Sequence, residues 1–156
     1  MKMAEDLPPL VTLAAARAAH AAAFAAFHAA AVALPPRWRE QAGACGDWTA
    51  REVVCHATGW EAEALGRPQA IRADLATPVR TYDDERFNAA QVAARRELEW
   101  VAALAELTVA HAALAAFLAT IGPEEARDGR FVEWAQGRAD DFADHTAQLL
   151  AWCGLR

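Results

Sequence analysis

The stretch from Asp47 to Glu61, reading DWTAREVVCHATGWE, is the tightest local constraint in this chain. Thr49 followed by Glu52 has the spacing of a capping box, in which hydroxyl and carboxylate each satisfy a backbone N–H that the first helical turn leaves free. Trp48 before the cap and Val53 in the first turn are placed to form the hydrophobic staple that sets the entry angle. A helix therefore starts here. Val53, His56, Trp60 and Ala64 follow at steps of three and four, which puts them on one face. Such a stripe needs other elements to bury it, and a histidine sits in its middle.

The rest of the chain supplies those partners as three more long helices. The first runs from about Pro9 to Leu34, with Leu13, Ala16, His20, Phe24, Phe27 and Ala31 as its stripe, and Pro35-Pro36 stops it. A loop covers Pro35 to Asp47. The second helix, begun at Thr49, ends near Gly66-Arg67-Pro68. The third opens on the acidic Asp83-Asp84-Glu85 and runs to Thr120, before Ile121-Gly122-Pro123. Its inward stripe reads Phe87, Gln91, Ala94, Leu98, Val101, Leu104, Thr108, His111 and Leu118. The fourth spans Phe131 to Trp152. No strand alternation and no internal repeat is visible. The expected fold is all-α, a four-helix bundle forming a single domain over residues 1–156, long enough for a true core.

Charge and composition bear on partners. The formal net charge is −6, Lys2 is the sole lysine, and no basic stripe is visible, so nucleic acid is not an expected partner. The alanine-rich first helix carries Arg17, His20 and His28, and no apolar run reads as a membrane span. Glu5 and Asp6, with Pro8 and Pro9 close behind, do not make a signal peptide. Three cysteines without ligand or pairing spacing point to a reducing cytoplasm.

Polar residues on inward faces mark the candidate site. Trp134, Arg138, Asp141, His145, Leu149 and Trp152 share one stripe of the fourth helix. Asp141 and His145, four residues apart, can chelate a transition metal, with His56 as a third ligand. The alternative is a buried, hydrogen-bonded Asp–His pair. Depth links the two helices. His56 lies ~11 Å into the second helix and His145 ~11 Å from the end of the fourth. They meet only if those helices are antiparallel; an up-down-up-down order would leave them roughly 10 Å apart along the axis. The connection from Arg67 to Asp83 can span ~50 Å when extended, enough to recross the bundle. The expected order is up-down-down-up, with a long crossover between helices two and three.

Taken together, WTAREVVCHATGWE, YDDERFNAA and GRADDFADHTAQLLAW resemble the DinB-like four-helix bundle superfamily, over nearly the whole chain. The branch they resemble holds the DfsB and ClbS proteins and relatives of mycothiol-dependent maleylpyruvate isomerase. The resemblance implies an up-down-down-up homodimer. It also implies a divalent metal held by one ligand on helix two and an HxxxH pair on helix four, positions that here are His56, Asp141 and His145. Asp141 departs from the family histidine, yet two histidines and a carboxylate still suit zinc, nickel or iron. Asn88 matches an asparagine common in the branch, as a substrate contact or a helix-start residue. Trp60 and Arg138 belong to the pocket, Trp60 as wall or core filler. His20 and His111 read as core histidines.

Two functions follow. One is a metal-dependent hydrolase or thiol-dependent transferase or isomerase, acting on a small electrophilic or thiol-conjugated molecule, with a low-molecular-weight thiol as a further cofactor. The other is a non-catalytic dimeric binding or sequestering bundle with a degenerate metal site.

Overall fold

A computed structural model describes residues 11–74 and 82–154. Among them the elements are α1 (Leu13–Ala33), α2 (Pro36–Arg39), α3 (Ala50–Arg72), α4 (Asp84–Ala94), α5 (Trp100–Ala119) and α6 (Gly129–Trp152), with a 3-10 turn at Glu125–Arg127. The fold is all-α. The capping box forms as its spacing predicts: the Glu52 N–H donates to Thr49 Oγ1 at 3.1 Å, and the Thr49 N–H donates to Glu52 Oε2 at 2.8 Å.

Two apolar clusters set the helix directions. One joins Phe27, Ala31 and Leu34 at the end of α1 with Val53, Val54 and Ala57 at the start of α3. It continues through Trp100, Ala103 and Leu107 at the start of α5 to Phe142 and Leu149 in the second half of α6. The other joins Leu13 and Ala16, Ala64, Leu114 and Leu118, and Phe131 and Ala135, from the opposite ends of the same helices. Hence α3 and α5 run parallel, α1 and α6 run parallel, and the two pairs oppose each other. This is the up-down-down-up order. The crossover expected between Arg67 and Asp83 falls largely on residues 75–81, which lie outside the described residues.

Several boundaries differ from expectation. The loop after Leu34 contains the short helix α2, started by Pro36 at a first-turn position that tolerates proline. Helix α3 continues through Pro68 to Arg72. Tertiary contacts outweigh the hydrogen bond that proline removes: Ile71 packs on the second cluster, while Arg72 pairs with Glu125 at 2.8 Å and lies over the Phe117 ring.

The third long helix is broken in two, at Arg95 to Glu99. The half-buried face of α4 holds Asn88, Gln91, Val92 and Arg95, whereas α5 buries Trp100, Ala103, Leu104, Leu107, Leu114 and Leu118. At 100° per residue these faces are out of phase by roughly 120°, so one straight helix cannot bury both. The break corrects the expected stripe: Ala94, Val101 and Thr108 are exposed. By length and composition, α5 is also the one helix among the described residues fit to cross a membrane, which the sequence reading overlooked. Its Leu107, Leu114 and Leu118 are buried in the bundle.

Candidate functional site

Two helices bring the expected triad together. His56 comes from the first half of α3, and Asp141 and His145 lie one turn apart on α6, antiparallel to it. Their ligand atoms all lie within 4.8 Å of one another. His56 Nε2 and His145 Nε2 are 2.7 Å apart, and Asp141 Oδ1 is 3.4 Å from His145 Nε2. Both histidines are buried, and Asp141 is partly exposed.

The surrounding groups decide which ring nitrogens carry hydrogen. Trp60 Nε1, which can only donate, lies 2.7 Å from Asn88 Oδ1. That oxygen is therefore an acceptor, and His56 Nδ1 at 3.4 Å donates to it. On the other ring, His145 Nδ1 donates to Gln148 Oε1 at 2.6 Å. With both Nδ1 positions committed, the two neutral rings turn Nε2 lone pairs toward each other. Like poles at this separation repel unless a proton or a cation lies between them. A histidine whose second nitrogen is fixed by an amide or carboxyl oxygen is the usual arrangement of a metal ligand, and the nitrogen–nitrogen–oxygen set suits zinc, nickel or iron. The donor set fits a divalent metal.

The electrostatics of His56 agree with this protonation pattern. Burial, reinforced by the neighbouring His145, pushes His56 down to about 4. For Asp141, burial works upward, but a hydrogen bond from His145, which requires that ring to carry a proton on Nε2 as well, and the Arg138 charge outweigh it and hold the carboxyl well below its ordinary range. Trp48, from the turn preceding α3, lies edge-on to His56 with ring centroids 5.1 Å apart. Gln148 also hydrogen-bonds the Cys45 thiol, which burial pushes up.

A cavity of about 480 Å³ opens beside the triad. His56, Trp60, Asn88, Trp134, Arg138 and Asp141 line it, with Asp84 and Glu133 among its exposed residues. The expected pocket residues Trp60, Asn88 and Arg138 all reach this space. Asn88 joins α4 to α3 by accepting from both Trp60 and His56, so it positions a ring as well as facing the cavity.

A second polar cluster lies deeper, and its centre was missed in the sequence. Glu61 is fully buried. Its Oε2 is 3.0 Å from His20 Nε2 and 3.1 Å from His111 Nδ1, and its Oε1 accepts from Arg138 Nε at 2.9 Å. Burial alone would raise its pKa, yet the hydrogen bonds from His111 and His20 and the Arg138 charge bring it down to about 2. His20 and His111 are thus core histidines with an ionic partner. The available signal was Glu61 in line with Val53, Ala57 and Ala64 on the inward face of α3. This group too has a geometry that can hold a metal, but a guanidinium already occupies one carboxylate oxygen.

No protein-family model matches the sequence, and no curated protein matches it. Solved structures do share the fold. An uncharacterised protein from Escherichia coli UTI89 aligns with a TM-score of 0.76 at 15% identity, covering 93% of this chain and 94% of that one. The colibactin self-resistance protein ClbS, solved in complex with a dsDNA, aligns with a TM-score of 0.75 at 13% identity, covering 93% of this chain and 97% of that one. The second likeness corrects the expectation that nucleic acid is no partner. Net charge sums the whole molecule and does not report how cations are arranged on one face, and a protein of this same fold has been solved with a duplex. The chain has the fold of ClbS.

Proposed function

We propose that this chain is a metal-binding member of the DinB-like superfamily, in which His56, Asp141 and His145 hold zinc or nickel beside a cavity for a small electrophilic or thiol-conjugated molecule. The observation that carries this reading is the pair of Nε2 atoms 2.7 Å apart, each ring having its Nδ1 hydrogen bonded to an amide oxygen. A divalent metal in such a site acts as a Lewis acid and lowers the pKa of a bound water or thiol, which suits hydrolysis or thiol transfer. The chain's own residues supply the rest. Asn88 and Gln148 hold the two rings in the ligating tautomer. Trp60 and Trp134 give the cavity apolar walls, and Arg138 offers a fixed positive charge at its edge. The cavity volume is that of a small-molecule site, and the self-resistance role of ClbS fits removal of a reactive compound.

Calorimetric titration of metal-free protein with zinc and with nickel tests the reading. Wild type binds one equivalent, His56→Ala and His145→Ala bind none, and Asp141→His binds at least as tightly as wild type. If wild type and both alanine variants bind equally poorly while Asp141→His binds well, the site is degenerate and the chain is a binding or sequestering bundle.

The duplex bound to ClbS favours a second reading, in which this chain also contacts DNA. Eight arginines pair with carboxylates: Arg51, Arg67, Arg72, Arg95, Arg96, Arg127, Arg130 and Arg138. Arg17, Arg37, Arg39 and Arg86 have no carboxylate partner among the described residues, and of these Arg37 and Arg39, two residues apart on α2, are the candidates for phosphate contact. Fluorescence anisotropy with a labelled duplex should show salt-dependent binding whose salt slope drops in Arg37→Ala/Arg39→Ala. No binding at low salt refutes it.

A further inference from the structure

The third ligand of the triad is not a free carboxylate. Asp141 Oδ2 accepts from Arg138 Nη1 at 2.8 Å, one helical turn away, while Oδ1 is left facing His145. Arg138 in turn is pinned from behind. Its Nε donates to Glu61 Oε1 at 2.9 Å, and its guanidinium carbon lies 5.1 Å from the Phe142 ring centroid. Arg138 is only 4% exposed and Glu61 is 0% exposed, so water screens neither charge effectively. One guanidinium is thus shared between a carboxylate inside the triad and another outside it, and Glu61 is itself held by His20 and His111.

We propose that Arg138, anchored by Glu61, is a positioning residue that competes with the metal for Asp141 and so sets how tightly the triad holds a cation. This inference rests on the metal reading above. The guanidinium does two things at once. By engaging Oδ2 it aims Oδ1 at the histidines, which makes Asp141 a one-oxygen ligand. By placing a positive charge against that carboxylate it weakens the carboxylate's hold on a second cation. Glu61 draws part of the guanidinium charge away from Asp141. A histidine in place of Asp141 offers no carboxylate for Arg138 to compete over.

The two charges predict opposite effects. Glu61→Gln leaves Asp141 as the one carboxylate facing the guanidinium and should weaken zinc binding by about tenfold or more. Arg138→Gln keeps a hydrogen-bond donor but removes the positive charge, and should tighten zinc binding by a similar factor. The double variant Glu61→Gln/Arg138→Gln should return toward wild type. Loss of packing alone would loosen the site in every variant and shift all constants the same way. The experiment is calorimetric titration of each metal-free protein with zinc, with the visible spectrum of the cobalt(II) form as a check that the ligand set is unchanged. Opposite shifts support the proposal; a weakening in both single variants overturns it. If Glu61→Gln does not fold, Arg138→Gln decides alone, since tighter binding supports the competition and weaker binding overturns it. A wild type that takes up no zinc removes the metal reading itself, and the competition with it.

Discussion

Acidifying the metal-free protein from pH 7 to pH 5 probes the state of the His56 ring. In the fold this group titrates at about 4, against 6.5 ordinarily, chiefly because burial disfavours its charged form. The folded state therefore keeps His56 neutral where the unfolded chain has already taken up a proton. Unfolding binds protons between those two values, so stability falls as pH falls through this window. The whole gap corresponds to about 3 kcal/mol, at about 1.36 kcal/mol per pH unit. Of this, about 2 kcal/mol is lost between pH 7 and pH 5, because the unfolded group is then almost fully protonated while the folded one is not. Urea unfolding with chelator present, on wild type and on His56→Gln, isolates the contribution. Wild type should lose about 2 kcal/mol more than the variant over that interval. Equal losses would refute the reasoning. A wild type that gains stability in acid relative to the variant would reverse its sign, and would mean that the 2.7 Å gap between the two Nε2 atoms is bridged by a proton.

Further outcomes follow from the same contacts. Glu61 titrates at about 2 in the fold, below its ordinary 4.5, so its contribution is present above pH 4.5 and disappears as pH falls toward 2; Glu61→Gln should flatten the acid unfolding curve there. Thr49→Ala removes one half of the capping box and should cost about 1 kcal/mol of stability by urea unfolding. Phe142, fully buried against Phe24, Phe27 and Arg138, should cost about 3–5 kcal/mol when cut to alanine, with a matching fall in melting temperature.

Helix type and direction were legible because they depend on local signals and on chain length; helix number was not, since the short α2 and the break after α4 make six helices among the described residues where four were expected. The capping box at Thr49, the prolines at 35 and 36, and a connection too long for a hairpin are all short-range facts. The juxtaposition of His56 with His145 was legible for the same reason: two rises along antiparallel helices were compared. The break at Arg95 was not, because nothing near Arg95, Arg96 and Glu97 forbids a helix. It comes from the clash between two buried faces, one against α3 at Asn88 and the other in the core at Trp100, and a clash of faces exists only once partners are placed. Glu61 escaped notice for a related reason. A carboxylate near a capped, partly polar helix reads as surface until His20, His111 and Arg138 arrive from three other helices. Gln148, three residues beyond His145, was within reach of helical spacing alone, had its amide been weighed as an orienting group.

The parallel pairing of α1 with α6 has a consequence for how the chain is made. The principal neighbour of the first long helix is the last one. On a ribosome, Leu13, Ala16 and Phe27 wait without their final partner until Gly129 and the residues beyond it have been synthesised. Helices α3 and α5 can begin to pack earlier, but contacts of such long sequence separation close late and slow folding. An alanine-rich first helix has less apolar bulk to expose during that wait than a leucine-rich one would. His145 sits in the closing element, so the ligand triad comes together only when the bundle does.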